Sequence, residues 1–148
     1  MSELILKLHI LSSIIPSILT LIIIFRSIKG IMLKNEIRSI DQKLPLFVLG
    51  FLYLQLALGI LLYFIHIDDY SQIENADQAV TAINTRFWAL EHFLMMFFAL
   101  VLSHIGFIYS KNLKSNLRFH KKNLLFYGLI CILIMTSLTL NALRHSGF

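Results

Sequence analysis

Charge and cysteine are both scarce in this chain of 148 residues. Only 14% of its residues are Asp, Glu, Lys or Arg, about half the share of an ordinary water-soluble domain, which argues against a soluble globule. The single cysteine, Cys131, excludes an internal disulfide and a CxxC metal or redox motif. The first segment, Met1-Ser-Glu-Leu-Ile-Leu-Lys7, lacks a basic leader region, and no A-x-A-like cleavage site follows it. The apolar block behind it therefore reads as a retained helix rather than a signal peptide. No internal repeat and no low-complexity segment is evident. No set of residues suggests proton or hydroxyl chemistry on a soluble substrate, so any link to an enzyme reads as an electron-transfer subunit of an oxidoreductase.

What the chain has in quantity is hydrophobicity. Hydrophobic residues make up 57% of it, and the mean hydropathy is +0.77. They fall into four blocks, residues 4–25, 44–67, 86–109 and 123–143. Each is long enough to cross roughly 30 Å of hydrocarbon at about 1.5 Å per helical residue. The expectation is an all-α, integral membrane, up-down four-helix bundle forming one domain over residues 1–148, with no room for a separate soluble domain.

The formal charge of +5 is unevenly spread. The first connection carries Arg26, Lys29, Lys34, Arg38 and Lys43, and the third carries Lys111, Lys114, Arg118, Lys121 and Lys122. The second carries Asp68, Asp69, Glu74 and Asp77. Lys/Arg-rich connections stay in the cytoplasm. The first and third connections are thus expected inside, and the second and both termini outside. This distribution assigns the basic charge to orientation and to anionic lipid, not to nucleic acid. The stretch from Asp68 to Thr85 lacks a long apolar block and suits a short helix or lid over the outer face.

Ionisable groups inside a bilayer are costly and tend to be functional. His9 lies about one and a half turns into the first span, and His92 lies a similar distance into the third. Helical rise puts both about 8–10 Å below the outer surface. Spans one and three occupy diagonal corners of a square bundle, so the two imidazoles can face one another across its centre. Two such imidazoles suit a b-type haem iron. Gln55, Glu91 and Met95 are candidates to line the cofactor or to orient its ligands. Gly59, on the face of Gln55, can make room for a flat ligand or a close helix.

Other readings stay open. Each histidine can instead tie neighbouring helices together, and the chain is then a cofactor-free accessory or structural subunit of a larger, respiratory membrane complex. His66 and His145 close spans two and four on the outer side, which allows a Cu- or Zn-handling site with His9 and His92. His104 sits too far along the axis to share their iron and reads as a polar tie. His120 falls in the basic third connection and suggests no special role. Pro16 is expected to bend the first span, with Ser12, Ser13 and Ser17 satisfying freed backbone groups. Trp88 fits an interfacial aromatic belt.

Three stretches carry a family resemblance. They are Leu8-His9, Gln55-Leu-Ala-Leu-Gly59-Ile-Leu-Leu-Tyr63-Phe64, and Arg86-Phe87 followed by Glu91-His92-Phe-Leu-Met95-Met96. With them the chain resembles, over most of its length, small four-span cytochrome b-like membrane proteins of the Bacteroidetes type. More distantly its layout is similar to the copper-resistance D and membrane protoporphyrinogen oxidase families. The resemblance implies His9 and His92 as haem b ligands. With the residue readings it points to electron transfer in the bacterial inner membrane. A quinol, a periplasmic acceptor, a second membrane protein or another copy of the chain are the expected partners.

The charge pattern makes a direct test. Green fluorescent protein inserted after Asn35 or Ser115 is expected to fluoresce in intact bacteria, and after Glu74 to stay dark. The reverse pattern would invert the orientation.

Overall fold

The computed structural model describes residues 2–65 and 87–145. Helix α1 spans Ser2–Met32 and α2 spans Ser39–Ile65. A π-helical turn, Phe87–His92, leads directly into α3, Phe93–Asn112, and α4 spans Asn116–His145. No strand occurs among the described residues. Four helical segments are long and apolar enough to cross a membrane. The second connection and its suggested lid, with His66, Ile67 and Arg86, lie outside the described residues.

Helix α1 packs on α2 and α4, and α3 packs on α4 and α2. Helices α1 and α3 therefore sit at diagonal corners, as expected. The short connections at 33–38 and 113–115 share one end of the bundle, here the basic end. Opposite lies the terminal end, where α1 begins and α4 closes.

The helices outrun the expected spans. Helix α1 continues roughly two turns past Phe25, and α4 begins roughly two turns before Asn123. Hydropathy marks only the stretch that hydrocarbon tolerates, whereas backbone hydrogen bonding carries the helix on into charged turns. Helix α1 stops where Lys34 takes a left-handed conformation, φ 52°, the usual geometry just beyond a helix C-terminus. The N–H of Asn35 then donates to the Gly30 carbonyl at 3.2 Å. Through Pro16 the helix is unbroken. Ser12, Ser13 and Ser17 donate to carbonyls of Leu8, Ile10 and Ser13. None of these is the Ser12 carbonyl, the one that lacks its donor because residue 16 is proline.

The packing is apolar outside and mixed inside. Only 17–28% of the most apolar stretch of each span is buried within the protein. Leu4, Leu11, Ile18, Phe25, Phe47, Phe98, Ile132 and Leu138 all face outward. In water this surface would be an aggregation hazard; in lipid it is the matching face. Inside, Ile23, Val48, Leu52, Ala99, Tyr127 and Ile130 form the apolar centre. Around them Thr20, Ser27, Asp41, Gln55, Ser103, Ser110, His120, Asn123 and Ser137 are buried. The result is a multi-pass membrane bundle that hides many, though not all, of the polar side chains of its spans.

The basic end is held by specific ties. Arg26 Nε of α1 donates to Asp41 Oδ1 of α2 at 2.5 Å. The other Asp41 oxygen accepts the Arg38 N–H at 2.9 Å, so the carboxylate also caps the first turn of α2. The Ser110 hydroxyl of α3 donates to Asn123 Oδ1 of α4. His120 lies within α4, not in a connection, and is 3% exposed. A Cβ on Gly30 would run into its ring, so this glycine sets how closely α1 approaches α4. Gly106 does the same between α3 and α4, where an added Cβ would lie 3.0 Å from Phe126 Cβ.

Gly30→Ala is expected to destabilise the bundle by about 1–3 kcal/mol, the usual cost of overpacking. In a His120→Ala background the same substitution should cost less than about 0.5 kcal/mol, since the two sites are coupled. Thermal unfolding in detergent reads both values, and equal losses in both backgrounds would clear the His120 ring as the obstacle.

Candidate functional site

The site lies between α1 and α3, toward the terminal end. His9 projects from α1 and His92 closes the π-helical turn that opens α3. Their ring centroids are 6.2 Å apart, with planes at 73°. Two metal–nitrogen bonds of about 2 Å each, plus the radii of two imidazoles, come to roughly the same separation. Both rings are partly buried. The diagonal pair singled out from spacing is therefore brought together.

Each histidine has a distinct setting. His92 Nδ1 lies 2.8 Å from Ser137 Oγ on α4. A hydrogen bond at Nδ1 holds the ring in a fixed orientation. His9 Nδ1 is buried without a hydrogen-bond partner among the described residues. A buried polar atom left so costs about 1–3 kcal/mol until some ligand or metal engages it. Gly59 of α2 faces the same ring: a Cβ there would sit 3.6 Å from His9 Cε1.

The remaining candidates divide. Gln55 Nε2 donates to Ser12 Oγ at 2.5 Å, bridging α2 and α1. Its amide N–H thus joins two helices one turn from His9. Met95 is half-buried, at i+3 from His92 on α3, and Glu91 is half-buried beside it in the π turn. His66 lies outside the described residues, as does the His145 side chain. Among the described residues no three His, Cys, Asp or Glu side chains gather as a metal cluster would. The four-histidine Cu or Zn arrangement thus falls partly outside what is described.

Two features escape a reading of the sequence. Ser137 is one; its signal was its place on the inward stripe of α4, in register with Tyr127, Ile130 and Ile134, which are all buried. The π turn is the other, and Phe-Trp-Ala-Leu-Glu-His reads locally as ordinary helix. Such turns, rare in general, are frequent at functional sites. His104 is exposed on the outer face of α3, its Nδ1 3.4 Å from Tyr53 Oη on α2. It is a tie between helices, made on the outside of the bundle. Deeper in, Thr20 Oγ1, Ser103 Oγ and Tyr127 Oη are buried without partners meeting hydrogen-bond geometry among the described residues.

No family model, curated protein or solved structure matches the chain. Any functional reading therefore rests on the residues themselves.

Gly59 offers a test of the cradle that is independent of cofactor. Gly59→Ala adds a Cβ at ordinary contact distance and should leave the melting temperature nearly unchanged. Gly59→Leu forces the larger side chain toward His9 and should cost about 1–3 kcal/mol. Indifference to leucine would show that the space beside His9 is not confined.

Proposed function

We propose that this chain is a b-type haem-binding electron-transfer protein, or such a subunit, of the bacterial inner membrane. In this reading both termini and the histidine pair lie toward the outer face. The observation that carries it is the 6.2 Å separation of two imidazoles supplied by diagonal helices. Diagonal helices leave a central slot, and cofactor sites in bundles are built from side chains that project into it.

His9 and His92 would hold the iron. The haem would supply a one-electron couple, its potential tuned by ligand identity, hydrogen bonding and burial. The residues of this chain do the rest. Ser137 fixes the His92 ring through Nδ1. Gly59 keeps a side chain off His9. Gln55 and Ser12 bind α2 to α1 one turn away, so the His9 backbone cannot easily shift. Glu91 and Met95 flank His92, and Met95 offers an apolar wall. The apolar exterior keeps bulk water from the slot. The partners are a quinol, a periplasmic acceptor and a neighbouring membrane protein or second copy. The basic end meets the anionic lipid of the inner leaflet.

A second reading has its own observation. Rings at 6.2 Å and 73° also fall within the range of direct edge-to-face contact. Histidines packed that way would tie α1 to α3 in a cofactor-free accessory subunit.

The reduced-minus-oxidised visible spectrum of the purified protein separates the two. A sharp alpha band, lost in both His9→Ala and His92→Ala, is expected. Ser137→Ala should keep the band and raise the midpoint potential, because the hydrogen bond at Nδ1 makes the imidazole a stronger donor to the oxidised iron. A colourless protein that co-purifies with a respiratory complex would establish the accessory role instead. Stoichiometric Cu or Zn without haem, lost in His66→Ala, would move the function to metal handling.

A further inference from the structure

We propose that the groove between α2 and α3, on the outside of the bundle, binds the head group of a lipid-soluble quinone through Tyr53 and His104. The groove holds about 400 Å³ and is lined by Tyr53, Leu56, Phe97, Leu100, Val101, His104 and Ile105. Ligand clefts begin near that size and combine apolar walls with a few placed polar groups. Here the polar groups are two, the Tyr53 hydroxyl and the His104 imidazole, 3.4 Å apart.

Their position is what demands an occupant. Thr20, Gln55, Ser103 and Ser137 are buried, yet His104 and Tyr53, like Thr136 and Thr139, are exposed on the lipid side. Thr139 bonds the Met135 carbonyl of its own helix, whereas the His104 ring reaches across to Tyr53. Ionisable side chains within spans nearly always face the bundle interior or a cavity. His104 lies eight residues before the end of α3 at Asn112, about 12 Å along the axis. Counted from Tyr109, where the apolar stretch ends, His104 lies about 7.5 Å inside, a depth that a quinone head reaches from the hydrocarbon. Among the described residues His104 has no hydrogen-bond partner besides Tyr53. With one proton spent on the bond between ring and hydroxyl, the pair keeps one donor for a carbonyl oxygen, while Phe97 and Val101 offer a flat apolar wall.

A second copy of the chain fits less well. Helices associate in lipid through Gly, Ala, Ser and Thr that let backbones approach, and none of these lines the groove. The floor, moreover, is where α2 and α3 meet, the least extensive of the four adjacent helix contacts. Toward the terminal end, Phe97 stacks on Phe93 with ring centroids 6.1 Å apart, and Phe93 directly follows His92. A quinone would thus dock on the same helix that carries the proposed haem ligand, about 18 Å away along its axis. An electron-transfer role for the groove rests on the haem reading; the binding itself does not.

The test is photolabelling of the full chain in nanodiscs with an azido-quinone, with decyl-ubiquinone as competitor. Label is expected on the peptides around Tyr53 and residues 97–105 and should be displaced by the competitor. His104→Ala should weaken competition about tenfold, the loss of one hydrogen bond in an apolar setting. Val101→Trp, which fills the groove from a lipid-facing position, should abolish it while leaving the melting temperature intact. His9→Ala should label like the parent protein even if colourless, so failure of the haem reading and failure of this one are distinguishable. Label that is not displaced, that maps elsewhere, or that survives both groove variants would overturn the proposal. So would a Val101→Cys disulfide dimer formed quantitatively in membranes, which would assign the face to a second copy.

Discussion

Hydrocarbon offers no hydrogen bonds, and that single constraint orders this bundle. A polar side chain in a span must find its partner inside the protein or at a lined cleft. The rotation of each helix follows. Helix α4 turns His120, Asn123, Tyr127 and Ser137 inward on one stripe. The partners come from other helices: Ser110 for Asn123 and His92 for Ser137. Helix α1 answers with Ser12 toward Gln55 and Arg26 toward Asp41. The apolar side chains left over face lipid by default, which is why so many large ones are exposed.

The two ends use this rule for different purposes. At the basic end most polar contacts pair with one another, although His120 Nε2 is buried without a hydrogen-bond partner among the described residues. Asp41 serves both Arg26 and the Arg38 backbone, while Gly30 and His120 bring α1 against α4. That end is a clamp. At the terminal end one valence stays open: His9 Nδ1 is buried and unpartnered among the described residues. It lies beside a glycine and across from a second imidazole. The ties at the basic end hold the helices in place around the histidine pair at the other end.

The exposed Tyr53–His104 pair departs from this pattern, and unlike the exposed Thr139, which bonds the Met135 carbonyl of its own helix, it spans two helices. A polar pair on the lipid side is a cost unless something from the membrane covers it. It joins α2 to α3, the helix that His92 leads into through the π turn. One helix thus faces two environments: inward to the histidine pair, outward to the groove.

Much of this was legible beforehand. Four spans, their rough limits and the split of charge between connections are properties of each segment's own composition, and composition is additive along the chain. The diagonal placement of spans one and three follows from an up-down arrangement, with short first and third connections that make spans one and two, and three and four, neighbours. Even the meeting of His9 and His92 could be expected from equal depth on diagonal helices. Other features could not be read this way. The π turn at Phe87–His92, the bond from His92 to Ser137, the use of Gln55 on Ser12, the burial of His120 and the outward face of His104 all depend on helix rotation. Rotation is set jointly by four surfaces packing at once, and no single helix encodes it. Hydropathy can say that a segment enters the membrane; only the packed bundle decides which way its histidines look.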